Sequence, residues 1–240
     1  TKRALEPESP KGTNKRQKVE DDPENYALVF FDIETTDLKI SKAEIIQIAA
    51  KCGSRVFQKQ ILPSKPLEKI ITDITGISVV GKVMYDRKKN ILETVSKSSA
   101  MKSFIDFLAS LDDRVVLIAH YGHGFDAPIV MRVMKEVGML DDFKKTIFTF
   151  SDTYPLLQSL LPERGNRGKN YKLPALAKEF LGIENGLHEA MNDVMALEKL
   201  TAHTKIRASV EDFIKFRRSS DEILDDYKYI FSCVLVPENQ

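Results

Sequence analysis

The chain has 240 residues, 42% of them hydrophobic, with a formal net charge of +1, which is enough for one α/β domain with a full core plus extensions. No apolar run approaches the roughly 20 residues of a membrane span, and the first residues lack the apolar stretch of a secretory signal. The near-neutral charge excludes a uniformly basic nucleic-acid binder, so phosphate contacts must come from locally placed cations; two lone cysteines, Cys52 and Cys233, make no disulfide framework and point to a reducing compartment.

Residues 1–25 are polar and almost free of large apolar side chains, so they cannot offset their chain entropy by burial and are expected to be a disordered basic arm. Lys2-Arg3 and Lys15-Arg16-Gln17-Lys18 resemble a bipartite nuclear localisation signal; a merely soluble tail would look the same. The expected localisation is nuclear, with the cytoplasm also open. Residues 26–33 form a near-continuous apolar run, the mark of a central buried strand. Residues 44–51 and 55–62 are two further strands, joined through Gly53-Ser54 as a hairpin. A short helix and a loop around Thr75-Gly76-Ile77 follow.

Apolar residues at helical spacing predict an amphipathic helix over 99–111. A buried strand is expected at 115–119, a helix at 128–137 with Pro128 in its first turn, a strand at 147–150 and a helix at 154–161. Residues 162–172 read as a flexible loop whose Arg164, Arg167, Lys169 and Lys172 can contact phosphates or simply be solvated. Helices follow at 173–181 and 189–203. One or two more come after Ser209, one of them opened by a Ser219/Glu222 capping box. Three strands in a row, then strands alternating with helices, imply an α/β fold: a mixed central sheet flanked by helices on both faces.

Three places carry candidate chemistry. Asp32 and Glu34 lie two apart on a strand and so project from one face. Paired carboxylates repel and are costly to desolvate, and a hard divalent cation such as Mg²⁺ or Mn²⁺ removes that cost. Alone, the pair is equally a strand end in solvent. Asp126 follows a buried strand and precedes a helix, at the ligand end of an α/β sheet or as an ordinary helix cap. His188 and Asp193 are five residues apart, about 140° around an ideal helix. They meet only if the helix begins near Glu189, with His188 just ahead of it.

Taken together and in order, these segments resemble the DEDDh 3′→5′ exonucleases of the ribonuclease H-like superfamily. Asp32-Ile33-Glu34-Thr35-Thr36 is similar to the first motif, residues 119–126 to the second, and His188-Glu189-Ala190 with Asp193 to the third. Secondary matches are Ile74-Thr75-Gly76-Ile77, Asp152-Thr153, Tyr171-Lys172-Leu173 and Leu176-Ala177. The resemblance covers about residues 27–203 and suggests an exonuclease domain over 26–204 with a helical extension over 205–240. Residues 119–128 and 75–77 look closest to the three-prime repair branch. Residues 28–32 and 171–173 are also similar to the exonuclease-like domain ending a long isoform of the promyelocytic leukaemia protein.

The resemblance implies two Mg²⁺ or Mn²⁺ ions about 4 Å apart, held by Asp32, Glu34, Asp126 and Asp193. His188 is implied as general base on the attacking water, and the product as a nucleoside 5′-monophosphate. Implied substrate contacts are Thr35, Thr75, Gly76, Ile77, Tyr121 and His120, although His120, like His123 and His203, has no matching family role and is equally a structural group. The implied partner is a nucleic-acid 3′ end, single-stranded DNA before RNA, with a homodimer as an option. Two departures stand out. Asp37 replaces a frequent Gly, and Tyr121 stands where the second motif usually has Asn. A tyrosine there can stack on a base or block the substrate, so an exonuclease-like module that binds without cutting is the competing expectation.

Overall fold

The computed structural model describes residues 25–111 and 113–233. The basic arm expected over residues 1–25, its localisation signal included, thus lies almost wholly outside the described residues. Strand β1 (Tyr26–Thr35) alternates two buried faces. Val29, Phe31 and Ile33 enter one core and Tyr26 and Phe30 the other, which is why its sequence reads as continuously apolar. β2 (Ile45–Cys52) and β3 (Arg55–Ile61) follow antiparallel, turned by Gly53 at φ +57°. Glu34, Gln47 and Gln60 are thereby consecutive cross-strand partners.

Helix α1 (Lys69–Thr75) ends on a left-handed Gly76, whose N–H donates to the Thr72 carbonyl. A small antiparallel sheet of β4 (Ser78–Val80), β5 (Val83–Tyr85) and β6 (Ile91–Leu92) closes a third core over Ile46, Ile71, Ile77 and Met84. β7 (Thr94–Val95) returns to the main sheet beside β3, and α2 (Lys97–Ala109) is capped by the Ser96 side chain. β8 (Arg114–Ala119) runs parallel to β1. After it come α3 (Asp126–Glu136), α4 (Leu140–Thr146) and β9 (Ile147–Asp152), parallel to β8. Helices α5 (Thr153–Leu160), α6 (Pro162–Asn166), α7 (Leu173–Leu181) and α8 (Ala190–Ala202) follow. Last come α9 (Val210–Lys215), β10 (Arg217–Arg218), α10 (Ser220–Asp226) and α11 (Lys228–Ser232).

The main sheet has seven strands in the order β10-β9-β8-β1-β2-β3-β7, with parallel and antiparallel pairs. Its faces carry the two large cores. One core takes Met101, Phe104, Ile129, Met134 and Phe143 from α2 to α4, and the other takes Leu157, Leu176, Val194 and Leu197 from α5, α7 and α8. The mixed sheet flanked by helices is the expected architecture.

Three expectations change. Residues 162–172 are not a flexible basic loop. Pro162 opens a helical turn, Arg164 is buried and pairs with Glu179 at 2.5 Å, and Lys169 joins the same carboxylate at 3.1 Å. Two of the four cations are therefore spent internally. The segment after residue 204 is more than a helical extension, because β10 adds an edge strand to β9 while Phe213, Ile223 and Phe231 enter the two main cores. Helix α3 starts two residues before the expected 128, at Asp126 itself.

Candidate active site

Asp32 and Glu34 occupy the even positions of β1, the side chains that share a face with Phe30 and so look toward α8. Both are half-buried. Burial, and then the charges of Asp126 and Asp193, hold the Asp32 carboxyl well above its ordinary range. Burial and the same neighbours push Glu34 up to about 8.

Asp126 is 4% exposed. It is the first residue of α3, and its Oδ1 accepts the Ile33 N–H at 3.3 Å. This single contact ties the second motif to the strand carrying the first. Burial raises its pKa to about 8 against the opposing pull of its backbone N–H donors.

The third motif closes as its spacing requires. Glu189 is the N-cap of α8, and its side chain accepts the Asn192 N–H at 3.2 Å. The buried Gln47 takes the Ala190 N–H at 3.3 Å, anchoring the helix start to β2. His188 sits just outside with φ +67°, a left-handed conformation uncommon for non-glycine residues. It is held there because its N–H donates to both Asp193 oxygens, at 3.2 and 3.1 Å. Asp193, 7% exposed, is raised to about 7, chiefly by burial. His188 is shifted the other way, by burial and then by Arg87, both of which favour the neutral imidazole.

Glu34, His188 and Asp193 bring their donor atoms within 4.8 Å of one another. Carboxylates that resist ionising together are donors a divalent cation satisfies, so the residues fit a divalent cation. The structure thus brings Glu34, His188 and Asp193 together, and the charges of Asp32 and Asp126 are felt within the same group of acids.

The remaining candidates divide. Thr75 and Ile77 line a cleft beside His188. The Thr75 hydroxyl donates to the Ile71 carbonyl and accepts the Ile77 N–H, while Gly76 lies so close to Arg87 that an added Cβ would fall 2.7 Å from its Nε. The Thr35 hydroxyl donates to the Asp37 carbonyl at 2.8 Å. Both ring nitrogens of His120 are used within the fold, on the Thr153 hydroxyl and the Tyr171 carbonyl. Tyr121 is 57% exposed at φ +62°. Its ring meets Tyr154 edge-on at 5.8 Å and covers Gly124.

Asp152 fastens this loop. Its carboxylate accepts the N–H groups of Tyr121, His123 and Tyr154 at 2.9, 3.1 and 2.8 Å. The positioning roles of Asp152, Gln47 and Arg87 carry little sequence signal, since each acts across 13 to 143 positions of chain. The Asp152-Thr153 dipeptide match was the one hint.

Comparison with known proteins bears on the family and the fold. Residues 26–180 match the family model described as the Exuperantia RNAse H-like domain. The maternal protein exuperantia of Drosophila virilis is 28% identical over 165 residues, covering 64% of this chain and 33% of that protein. The PolC-type DNA polymerase III of Caldanaerobacter subterraneus is 28% identical over 200 residues, covering 81% of this chain and 12% of its own length. The chain spans about a third of the exuperantia proteins it matches. Among solved structures, an E. coli ExoI–ssDNA complex superposes with a TM-score of 0.56 at 16% identity, over 73% of this chain and 40% of that one.

Proposed function

The chain belongs to the Exuperantia RNase H-like domain family, and from that premise we propose that it is a metal-dependent 3′→5′ exonuclease of DEDDh type. It would remove nucleoside 5′-monophosphates from nucleic-acid 3′ ends, DNA before RNA. The observation that carries this reading is that Glu34, His188 and Asp193 bring their donor atoms within 4.8 Å of one another, with Asp32 two residues from Glu34 on the same strand face and Asp126 tied to that strand through the Ile33 N–H. The four acids would hold Mg²⁺ or Mn²⁺, which supplies Lewis-acid stabilisation of charge on the transferring phosphoryl group and its leaving oxygen.

The chain's own groups do the rest. His188, in its left-handed turn, presents an imidazole lone pair and takes a proton from the attacking water. The Ile33 N–H holds Asp126, and the His188 N–H holds Asp193, so the carboxylates are set by the backbone before substrate arrives. Single-stranded ends fit the substrate class, because the exposed Tyr121 ring offers a stacking face. The three-prime repair branch, the likeness to the promyelocytic leukaemia isoform domain, nuclear residence and a homodimer belong to the same proposal. A 3′-labelled oligonucleotide tests it: labelled 5′-mononucleotide should appear with Mg²⁺ and not with chelator. Release of a 3′-phosphate product, or none, would count against it.

The second reading is a module that binds nucleic acid with little or no cutting. One observation favours it, namely that Tyr121 replaces the usual amide on the loop leading to Asp126 and is fixed there by Asp152 and Gly124.

A further inference from the structure

A near-neutral chain holds phosphate only through locally placed cations, and in residues 162–172 Glu179 takes both Arg164 and Lys169. The small β4–β6 sheet keeps its cations free. Residues 78–92 carry four of them, Lys82, Arg87, Lys88 and Lys89, against one acid, Asp86. The Asp86 carboxylate is spent on the main-chain and side-chain N–H groups of Asn90, both at 2.8 Å. This clamp closes the β5–β6 turn and displays three consecutive cations on it. Lys82 stands on the β4–β5 turn, at the opposite end of the sheet. Arg87 is used on the Ile74 carbonyl at 3.0 Å, but the three lysines are exposed and, among the described residues, none of them closes an ion pair.

The face between the two turns is apolar and uncovered. Cross-strand partners share a face, so Val79, Met84 and Leu92 look inward to the third core, while Val80, Val83, Tyr85 and Ile91 look outward with Ser78. Val80 is 67% and Ile91 71% exposed. Lys89 leans over this outer face, its Nζ 3.4 Å from the Ser78 hydroxyl. An exposed aliphatic patch with one ring, Tyr85, and unpaired lysines at both ends suits a single strand of nucleic acid, with bases on the apolar centre and phosphates on the rim. A duplex hides its bases and would leave the apolar centre unused. The β5–β6 turn is also a rim of the cleft beside His188, which Arg87, Lys88 and Asn90 help to line, so the face and the cleft share one edge.

We propose that the outer face of the β4–β6 sheet is a platform for single-stranded nucleic acid upstream of its 3′ end, with Lys82, Lys88 and Lys89 on phosphates and Val80, Tyr85 and Ile91 under the bases. The inference rests on the exonuclease reading only for which part of the strand lies there. It makes the grip on a strand depend on its length, because a short oligonucleotide cannot span both the acids and the platform.

The test is fluorescence anisotropy with labelled oligo-dT and oligo-U, short (about 3 residues) and long (about 12 residues), in chelator so that nothing is cut, over a series of salt concentrations. Wild type should bind the long strands about tenfold or more tightly than the short ones. The triple variant Lys82→Ala/Lys88→Ala/Lys89→Ala should lose most of that advantage. It should also flatten the fall of log affinity with log salt by about 2, at about 0.7 for each phosphate contact on a single strand. Arginine at the same three positions should keep both the advantage and the slope, and Val80→Ser/Ile91→Ser should weaken the long strands at unchanged slope. If the triple variant does not fold, Lys88→Glu decides, because reversing one exposed charge should move affinity and slope in the same directions. Equal binding of short and long strands by wild type, or a triple variant with wild-type affinity and slope on both oligo-dT and oligo-U, overturns the proposal and leaves the face to a protein partner. Lysine-dependent binding of long strands without metal-dependent trimming would sink the exonuclease reading and leave the platform standing. Trimming in Mg²⁺ with binding that ignores the lysines would do the reverse.

Discussion

Asp193→Asn separates a functional acid from a structural one. In the folded chain Asp193 titrates near 7 against an ordinary 3.8, so between those values the folded state holds a proton that the unfolded state has released. Stability therefore falls as pH rises through that window and is lowest above it. A delay of about three pH units corresponds to about 4 kcal/mol at pH 8 in the absence of metal. Asparagine removes this penalty. It also removes one of the two oxygens that accept the His188 N–H, a loss of about 1–2 kcal/mol. The net gain is about 2–3 kcal/mol, or about 5–10 °C in melting temperature for a domain of this size. The assay is thermal melting of wild type and variant with chelator at pH 5 and pH 8, followed by nuclease activity with Mg²⁺. The variant should melt higher, more so at pH 8 than at pH 5, and be inactive. A clearly lower melting temperature at pH 8 would show that Asp193 is held by favourable contacts, and the repulsion argument would fail.

Binding of Mg²⁺ or Mn²⁺ at pH 7 should release about one proton or more, because Glu34 and Asp126 titrate near 8 in the metal-free chain and ligands must ionise to coordinate; calorimetry in buffers of different ionisation enthalpy measures it, and zero release would contradict the raised carboxyls. His188→Ala should lower turnover by about 10²-fold or more while the metal-induced rise in melting temperature persists; near-wild-type turnover at pH 7 removes His188 from the mechanism. Tyr121→Ala should weaken single-stranded DNA binding by about 1–3 kcal/mol if the ring stacks on a base, with chemistry still detectable, whereas a large gain in turnover for Tyr121→Asn would mean that the tyrosine obstructs the site.

The parts of this fold legible in the sequence are those written in local patterns. β1 announces itself by an unbroken apolar run, and the positions of Asp32 and Glu34 on one face follow from the period of a strand. The meeting of His188 with Asp193 was conditional on where α8 begins, and Glu189 as N-cap settles it. What stayed hidden depends on long-range partners. Residues 78–92 pair as three very short strands in which Val80 and Ile91 are exposed while Met84 is buried, and two or three residues each are too few to display a strand period. Arg164 reads in sequence as a cation for phosphate or for solvent, and only the fold pairs it with Glu179. Gln47 and Asp152 are ordinary polar residues in sequence, and only the register of the sheet and the turn after β8 give them their tasks.

The most direct measurement of the central claim is the fate of a 5′-labelled single-stranded oligonucleotide, DNA and RNA in parallel, incubated with the chain in Mg²⁺ or Mn²⁺ and in chelator, beside an Asp32→Asn/Asp193→Asn double variant. The account predicts a ladder shortening from the 3′ end in metal, none in chelator and none with the variant. Full-length DNA and RNA in both metals, or a ladder that the double variant reproduces, would contradict it.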